Sequence, residues 1–206
     1  MPVKRKSRIA ERREKLDGAV TYKEWIGRYV EKSSRATVSG LSAGNKIYFN
    51  EGGQSPSLIG YIDIKDSTQV NRVLEWAEAR IVTEPIENAV IITTTGDIYH
   101  CTGGLNSIDS ILELGEKLKS AIVTHNHPVG SDNEHTFSTD DRTLFDVFKL
   151  SRLRGVDEKF IYEFNRNSTQ VEDESTAFLY PEGCAAHLRN IQMARFGKYS
   201  YRRWLR

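Results

Sequence analysis

Apolar positions recur along this chain at two spacings, and the changes between them mark out its elements. Behind Asp66-Ser67, a pairing that suits a helix N-cap, Val70, Val73, Leu74 and Ala77 stand at i, i+3, i+4 and i+7, which predicts an amphipathic helix. The run 88–95 (NAVIITTT) is the most β-prone in the chain, and Gly96-Asp97 turns it into Ile98-Tyr99-His100-Cys101, the pattern of a hairpin. A helix is expected over 107–118, with Ile108, Ile111, Leu112 and Leu118 facing inward. Residues 121–124 are short, apolar and partly β-branched and read as a buried strand. From Thr139 to Leu153 a helix is expected on the loose apolar side of Leu144, Phe145, Phe148 and Leu150, and 160–164 reads as one more strand. Upstream, Thr21-x-x-Glu24 opens a helix whose Trp25, Ile26, Tyr29 and Val30 share a face. A Ser/Gly-rich connector over 33–45 and strands over 46–49 and 58–65, around a turn-rich stretch, complete the series. This order suits an α/β fold, a mixed β-sheet flanked by helices with N- and C-terminal extensions. Three segments are expected: a basic arm and amphipathic helix over 1–40, a catalytic domain over 41–180, and a basic aromatic tail over 181–206.

Composition narrows the class. The chain has 206 residues, enough for one sizeable domain plus extensions. No run of apolar residues is long enough to span a membrane, and the charged first 16 residues hold no secretory h-region. The two cysteines, Cys101 and Cys184, make neither a disulfide framework nor a CxxC pair. A cytoplasmic setting is the expectation. The net charge of +1 conceals a polarity: residues 1–17 carry +4 and residues 189–206 carry +6, leaving −9 for the middle. Such asymmetry points to an acidic partner or nucleic acid at the basic termini. In the C-terminal run Phe196, Tyr199, Tyr201 and Trp204 interleave with six cations and no acid. Two readings stand for it: stacking or groove binding by an exposed tail, or aromatics docked on the body with solvated arginines.

The candidate chemistry lies in His125-Asn126-His127-Pro128 and Ser138-Thr139-Asp140-Asp141. Side chains at i and i+2 of a strand share a face, so His125 and His127 can aim at one point where the strand runs out at Pro128. Two His and Asp141 would give a zinc three protein ligands and leave its fourth position open, as catalytic zinc sites do. A plainer account exists for each half. A lone H-x-H is a common polar strand end, and Ser138-x-x-Asp141 has the form of a capping box. Capping, however, leaves the two upstream imidazoles unexplained.

The string H-x-H-P, a spacer, then S-x-x-D resembles the signature of the JAB/MPN metalloproteases, the JAMM group, which includes deubiquitinating isopeptidases and bacterial RadC-like proteins and JAB domains. With Asn between the histidines and Phe137 before the serine, the string looks closest to the bacterial branch, though its spacer is longer by a few residues. The resemblance covers roughly residues 80–165. It implies a JAB/MPN-like fold, Zn2+ held by His125, His127 and Asp141, Ser138 steadying a tetrahedral intermediate, and a general-base glutamate from an earlier strand. Glu87, at the head of the 88–95 strand, matches that placement better than Glu84, which precedes Pro85 and belongs to the connection.

Three functions are therefore in play. The first is a zinc metalloprotease or isopeptidase acting on a protein or peptide substrate. The second is a non-catalytic MPN-like binding module, which would have no need to keep Glu87, His125, His127, Ser138 and Asp141 together. The third is a RadC-like nucleic-acid-associated protein working through its basic ends, whose binding would fall steeply with salt.

Overall fold

A computed structural model of the protein describes residues 55–132 and 134–206. The basic arm, the Thr21 capping box, the connector over 33–45 and the strand expected over 46–49 lie outside the described residues. The chain runs β1 (Ser57–Tyr61), α1 (Ser67–Ile81), β2 (Asn88–Ile92), β3 (Asp97–Thr102), a 3-10 helix (Asp109–Leu118), β4 (Ile122–Asn126), α2 (Thr139–Val147), β5 (Arg152–Val156), β6 (Phe160–Asn165), a short 3-10 turn (Glu174–Phe178), α3 (Cys184–Gly197) and β7 (Ser200–Leu205). The strands form one seven-stranded mixed sheet in the order β1-β3-β2-β4-β5-β6-β7. Among the described strands only β4 and β5 pair in parallel; α2 lies on the crossover that such a pair requires. Among the described residues no helix is long and apolar enough to cross a membrane.

Each face of the sheet has its own cover. On the front, Ala89, Ile91, Val123, Leu153, Phe160, Tyr162 and Phe164 pack with Ile111, Leu112 and Leu118 of the 3-10 helix, Leu144 and Phe145 of α2, and Ile191 and Ala194 of α3. On the back, Val90, Ile92 and Ile98 meet Val70, Val73, Leu74 and Ala77 of α1, the four positions whose spacing predicts that helix. Asp66 caps α1 by accepting from the Thr68 and Gln69 amides. Further along the back face, Arg154 of β5 pairs with Glu78 of α1 at 3.0 Å, and Thr124 Oγ1 donates to the same glutamate at 3.0 Å.

Three differences from the sequence reading have physical causes. The helix expected over 107–118 is a 3-10 segment interrupted at Gly115, whose φ of 53° breaks the helical path. The helix expected from Thr139 to Leu153 stops at the Phe148 C-cap, and Lys149 turns it with φ 51°. Leu153 belongs instead to β5, an internal strand.

The third concerns the tail expected over 181–206, where of the two open readings the docked aromatics match the structure. The segment is part of the fold rather than a separable tail. α3 places Ile191 and Ala194 in the main core, and Tyr199 and Tyr201 are buried there as well. Strand β7 is the edge of the sheet, antiparallel to β6. Several cations of the segment are engaged: Arg202 and Arg203 of β7 donate to Glu163 at 3.2 Å and to the carbonyls of His135 and Glu182, respectively, and Arg195 of α3 pairs with Glu174. Phe196 alone of the four interleaved aromatics stands free, at 93% exposed.

Candidate metal centre

The pleat of β4 does the first part of the assembly. Val123 and His125 face the front of the sheet while Thr124 and Asn126 face the back, as the two-residue period of a strand requires. His127, just past the strand end, returns to the front, and its amide donates to the Val156 carbonyl at 2.9 Å. Both imidazoles are buried, and their Nε2 atoms face each other at 2.9 Å.

The N-terminus of α2 supplies the third donor. Ser138 Oγ accepts from the Asp141 amide at 3.0 Å, and the Ser138 amide donates to Asp141 Oδ2 at 2.7 Å, a complete capping box. The same geometry turns the Asp141 carboxylate inward. Its Oδ1 lies 3.0 Å from His125 Nε2 and its Oδ2 3.4 Å from His127 Nε2. The plain and the chemical accounts of Ser138-x-x-Asp141 are thus compatible: the cap is what aims the carboxylate.

These three side chains form the one group among the described residues suited to holding a metal ion, with donor atoms all within 4.8 Å of one another. Zinc bonds of about 2.0–2.1 Å, arranged tetrahedrally, set donor–donor edges of about 3.3–3.4 Å. The imidazole nitrogens stand 2.9 Å apart and each faces its own Asp141 oxygen, Oδ1 at 3.0 Å and Oδ2 at 3.4 Å, separations of the same order. Burial alone would raise the Asp141 pKa, but the attraction and hydrogen bonds of His125 and His127 hold it well below the ordinary carboxylate range. A ligand that stays ionised suits a cation.

Glu87 stands on the front face just before β2, two residues from Ala89, which pairs with His125 across the β2–β4 ladder. It is 6% exposed and lines a cleft of about 40 Å³ together with His125, Ser138, Asp140 and Asp141. That space suffices for a water molecule. Burial pushes the Glu87 carboxyl up to about 8; nearby His127 pulls it down, and Asp141 and Asp140 add to the rise. A divalent cation among the three donors would pull the value down further by its own charge. Glu84 does not line this cleft; it is half-buried in the turn that leads from α1 to β2.

Ser138 spends its hydroxyl proton on Asp141 Oδ2, at 2.6 Å. Its evident task is to orient a candidate ligand, and partners of this kind affect metal affinity about 10–100-fold. Ser138→Ala is expected to cost about 1 kcal/mol of stability through the cap and to weaken metal binding, with Ser138→Thr restoring both. Urea unfolding and a zinc titration check this; unchanged affinity in the alanine variant would contradict it.

Two further residues at the centre carry no clear signal in the sequence. Tyr162 of β6 lies flat over Gly155, where a Cβ would come within 2.0 Å of its ring. Its ring centroid is 5.5 Å from that of His127, and its hydroxyl is buried with no partner among the described residues. Burial, then the negative charges of Asp157, Asp141 and Glu87, hold that phenol well above the ordinary tyrosine range. The second is Asn126, whose carboxamide works on the back of the sheet. Comparison with protein-family models, curated proteins and solved structures returned no match to this chain.

Proposed function

We propose that the protein is a zinc-dependent metallohydrolase of the JAMM type, with a JAB/MPN-like domain, that cleaves peptide or isopeptide bonds. The observation that carries this reading is the convergence of His125, His127 and Asp141 at near-ligand distances, with Glu87 in the adjoining cleft. The chain order also supports it: a strand-head glutamate, then H-x-H-P, then S-x-x-D, is the order of the signature the sequence resembles. The donor set favours zinc over magnesium or calcium, because two imidazoles and one carboxylate are nitrogen-rich.

Zinc held by these three residues would supply a Lewis acid that acidifies water and polarises a carbonyl. The remaining work belongs to the chain. The Glu87 carboxylate takes a proton from the attacking water and later delivers it to the leaving amine. Ser138 and the α2 N-terminus hold Asp141 in place. Asn106 lines the cleft, and its Oδ1 accepts from the Asp132 amide at 2.9 Å, which brings part of the longer spacer against the rim.

The C-terminal cations favour no second reading. Arg195, Arg202 and Arg203 already have protein partners, which leaves fewer free cations for phosphate than the bare sequence suggests. The test is hydrolysis of a mixed fluorogenic peptide pool and of a Lys-ε-linked isopeptide, with zinc, with a chelator, and after zinc is restored. Cleavage that the chelator abolishes and zinc restores is expected. Cleavage indifferent to the chelator, or none of either bond class, would overturn the proposal.

A further inference from the structure

Asn126, between the two histidines, has no role in the chemistry above, yet it is fully buried. Its carboxamide is spent on the chain segment that carries Glu87. Asn126 Oδ1 accepts from the Asn88 amide at 2.7 Å. Asn126 Nδ2 donates to the carbonyls of Ile86 at 3.1 Å and Glu84 at 3.3 Å. The backbone on both sides of Glu87 is therefore tied to one side chain of the ligand strand. Asn88 extends the tie: its Nδ2 also donates to the Ile86 carbonyl at 2.9 Å, and its Oδ1 faces His100 Nε2 at 3.0 Å.

The topology explains why a clamp is needed at this point. The β2–β4 ladder ends with Ala89 opposite His125, so its registered pairs stop short of Glu87 and His127. On its other side Glu87 is held through the β3 end alone, where its amide donates to the Gly104 carbonyl and the Gly103 amide donates back to its own carbonyl, each at 2.8 Å. Beyond the last registered pair, the Asn126 side chain adds the hydrogen bonds that fix the edge facing the histidines. Side chains alternate along a strand, so a residue placed between two front-facing histidines must point to the back. From there it grips the Glu87 segment without entering the cleft.

We propose that Asn126 is a positioning residue that locks the Glu87 segment in register with His125 and His127. The proposal rests on the reading of Glu87 as the base. It assigns the middle letter of H-N-H a task distinct from metal binding: setting where the Glu87 carboxylate stands relative to the two imidazoles. A loose general base loses catalytic effect even when its chemistry is intact.

The test uses the full-length, zinc-loaded protein and begins without a substrate. Backbone hydrogen exchange is measured by NMR in Asn126→Ala and in Asn126→Asp. Asn126→Ala removes all three bonds, so exchange at Asn88, Glu87 and Gly103 is expected to rise by about ten-fold or more, while Phe164 and Tyr201 in the β6–β7 ladder keep their protection. Asn126→Asp keeps the acceptor for Asn88 but loses both donors; it is expected to loosen Glu87 and Gly103 more than Asn88. It also serves if the alanine variant does not fold. Unchanged exchange at all three amides, or an equal rise throughout the sheet, would overturn the clamp. A double-mutant cycle on chelator-sensitive peptide hydrolysis then links the clamp to the base. Asn126→Ala should lower kcat with little change in KM, and add nothing further in a Glu87→Gln background. Full activity in Glu87→Gln would remove the base reading, and exchange alone would then judge the clamp. A large loss in Glu87→Gln with none in Asn126→Ala would remove the clamp and leave the base.

Discussion

Glu87→Gln protein is expected to keep its metal and to hydrolyse a peptide substrate at least ~100-fold more slowly than the parent. Gln preserves the shape of the side chain but cannot accept the proton. The same variant should be more stable than the parent once metal is removed. In the folded metal-free chain burial holds the Glu87 carboxyl up to about 8, against 4.5 for the free side chain. Between those values the folded state binds more protons than the unfolded one, so stability is lost as pH rises through that window. Gln has nothing to ionise and removes the loss. Thermal melts in chelator should therefore show Glu87→Gln gaining more at pH 8 than at pH 5, and equal shifts at both would contradict the assignment. If Glu84→Gln abolished turnover while Glu87→Gln did not, the base would be the other glutamate. A buried acid that is costly to the fold and lies beside the candidate metal centre fits a trade of stability for the proposed activity.

Removal of residues 184–206 is expected to unfold the domain rather than merely detach a partner-binding tail. The truncation takes away α3 and β7, opens the β6 edge, and deletes Ile191, Ala194, Tyr199 and Tyr201 from the core. It also cuts a buried polar chain that reaches toward the candidate metal centre. His187 Nδ1 meets Tyr201 Oη at 2.9 Å, Tyr201 meets Thr136 Oγ1 at 3.1 Å, and Asn190 Nδ2 donates to Thr136 at 2.7 Å. Arg142, one residue after Asp141, donates to Asn190 Oδ1 at 3.0 Å and to the Phe137 carbonyl at 3.2 Å. The melting temperature should fall by on the order of 10 °C or more, or the cooperative transition should vanish, and zinc content should fall with it. A truncated protein that melts within a few degrees of the parent and keeps its metal would restore the idea of a recruiting tail.

What the sequence revealed of the fold and the centre follows from how local the determinants are. α1, the β2–β3 hairpin, β4 and the α2 cap are each written within a few residues: a capping Asp66, a turn at Gly96 with φ 86°, a β-branched run, a Ser-x-x-Asp box. Accordingly the three donors were readable as a group, since strand alternation and the cap bring them together, whereas Glu87 was reached only through the family resemblance. β5 and β7 were not readable. Arg152-Leu153-Arg154-Gly155-Val156 and Ser200-Tyr201-Arg202-Arg203-Trp204 carry arginines that resemble surface, and the acids that receive them, Glu78 and Glu163, lie far along the chain. Gly155 shows the same non-locality: it is small because Tyr162 of the next strand lies on it. The role of Asn126 was hidden for a related reason, since its partners lie about 40 residues upstream.

The central claim is that His125, His127 and Asp141 hold one zinc ion. Metal content of purified, zinc-dialysed protein by mass spectrometry, combined with X-ray absorption at the zinc edge, tests it most directly. The account predicts one zinc per chain, bound through two imidazole nitrogens and a carboxylate oxygen at about 2.0–2.2 Å, and near-complete loss of the metal in His127→Ala. Sub-stoichiometric zinc in the parent, sulfur in the coordination shell, or unchanged zinc in His127→Ala would contradict it.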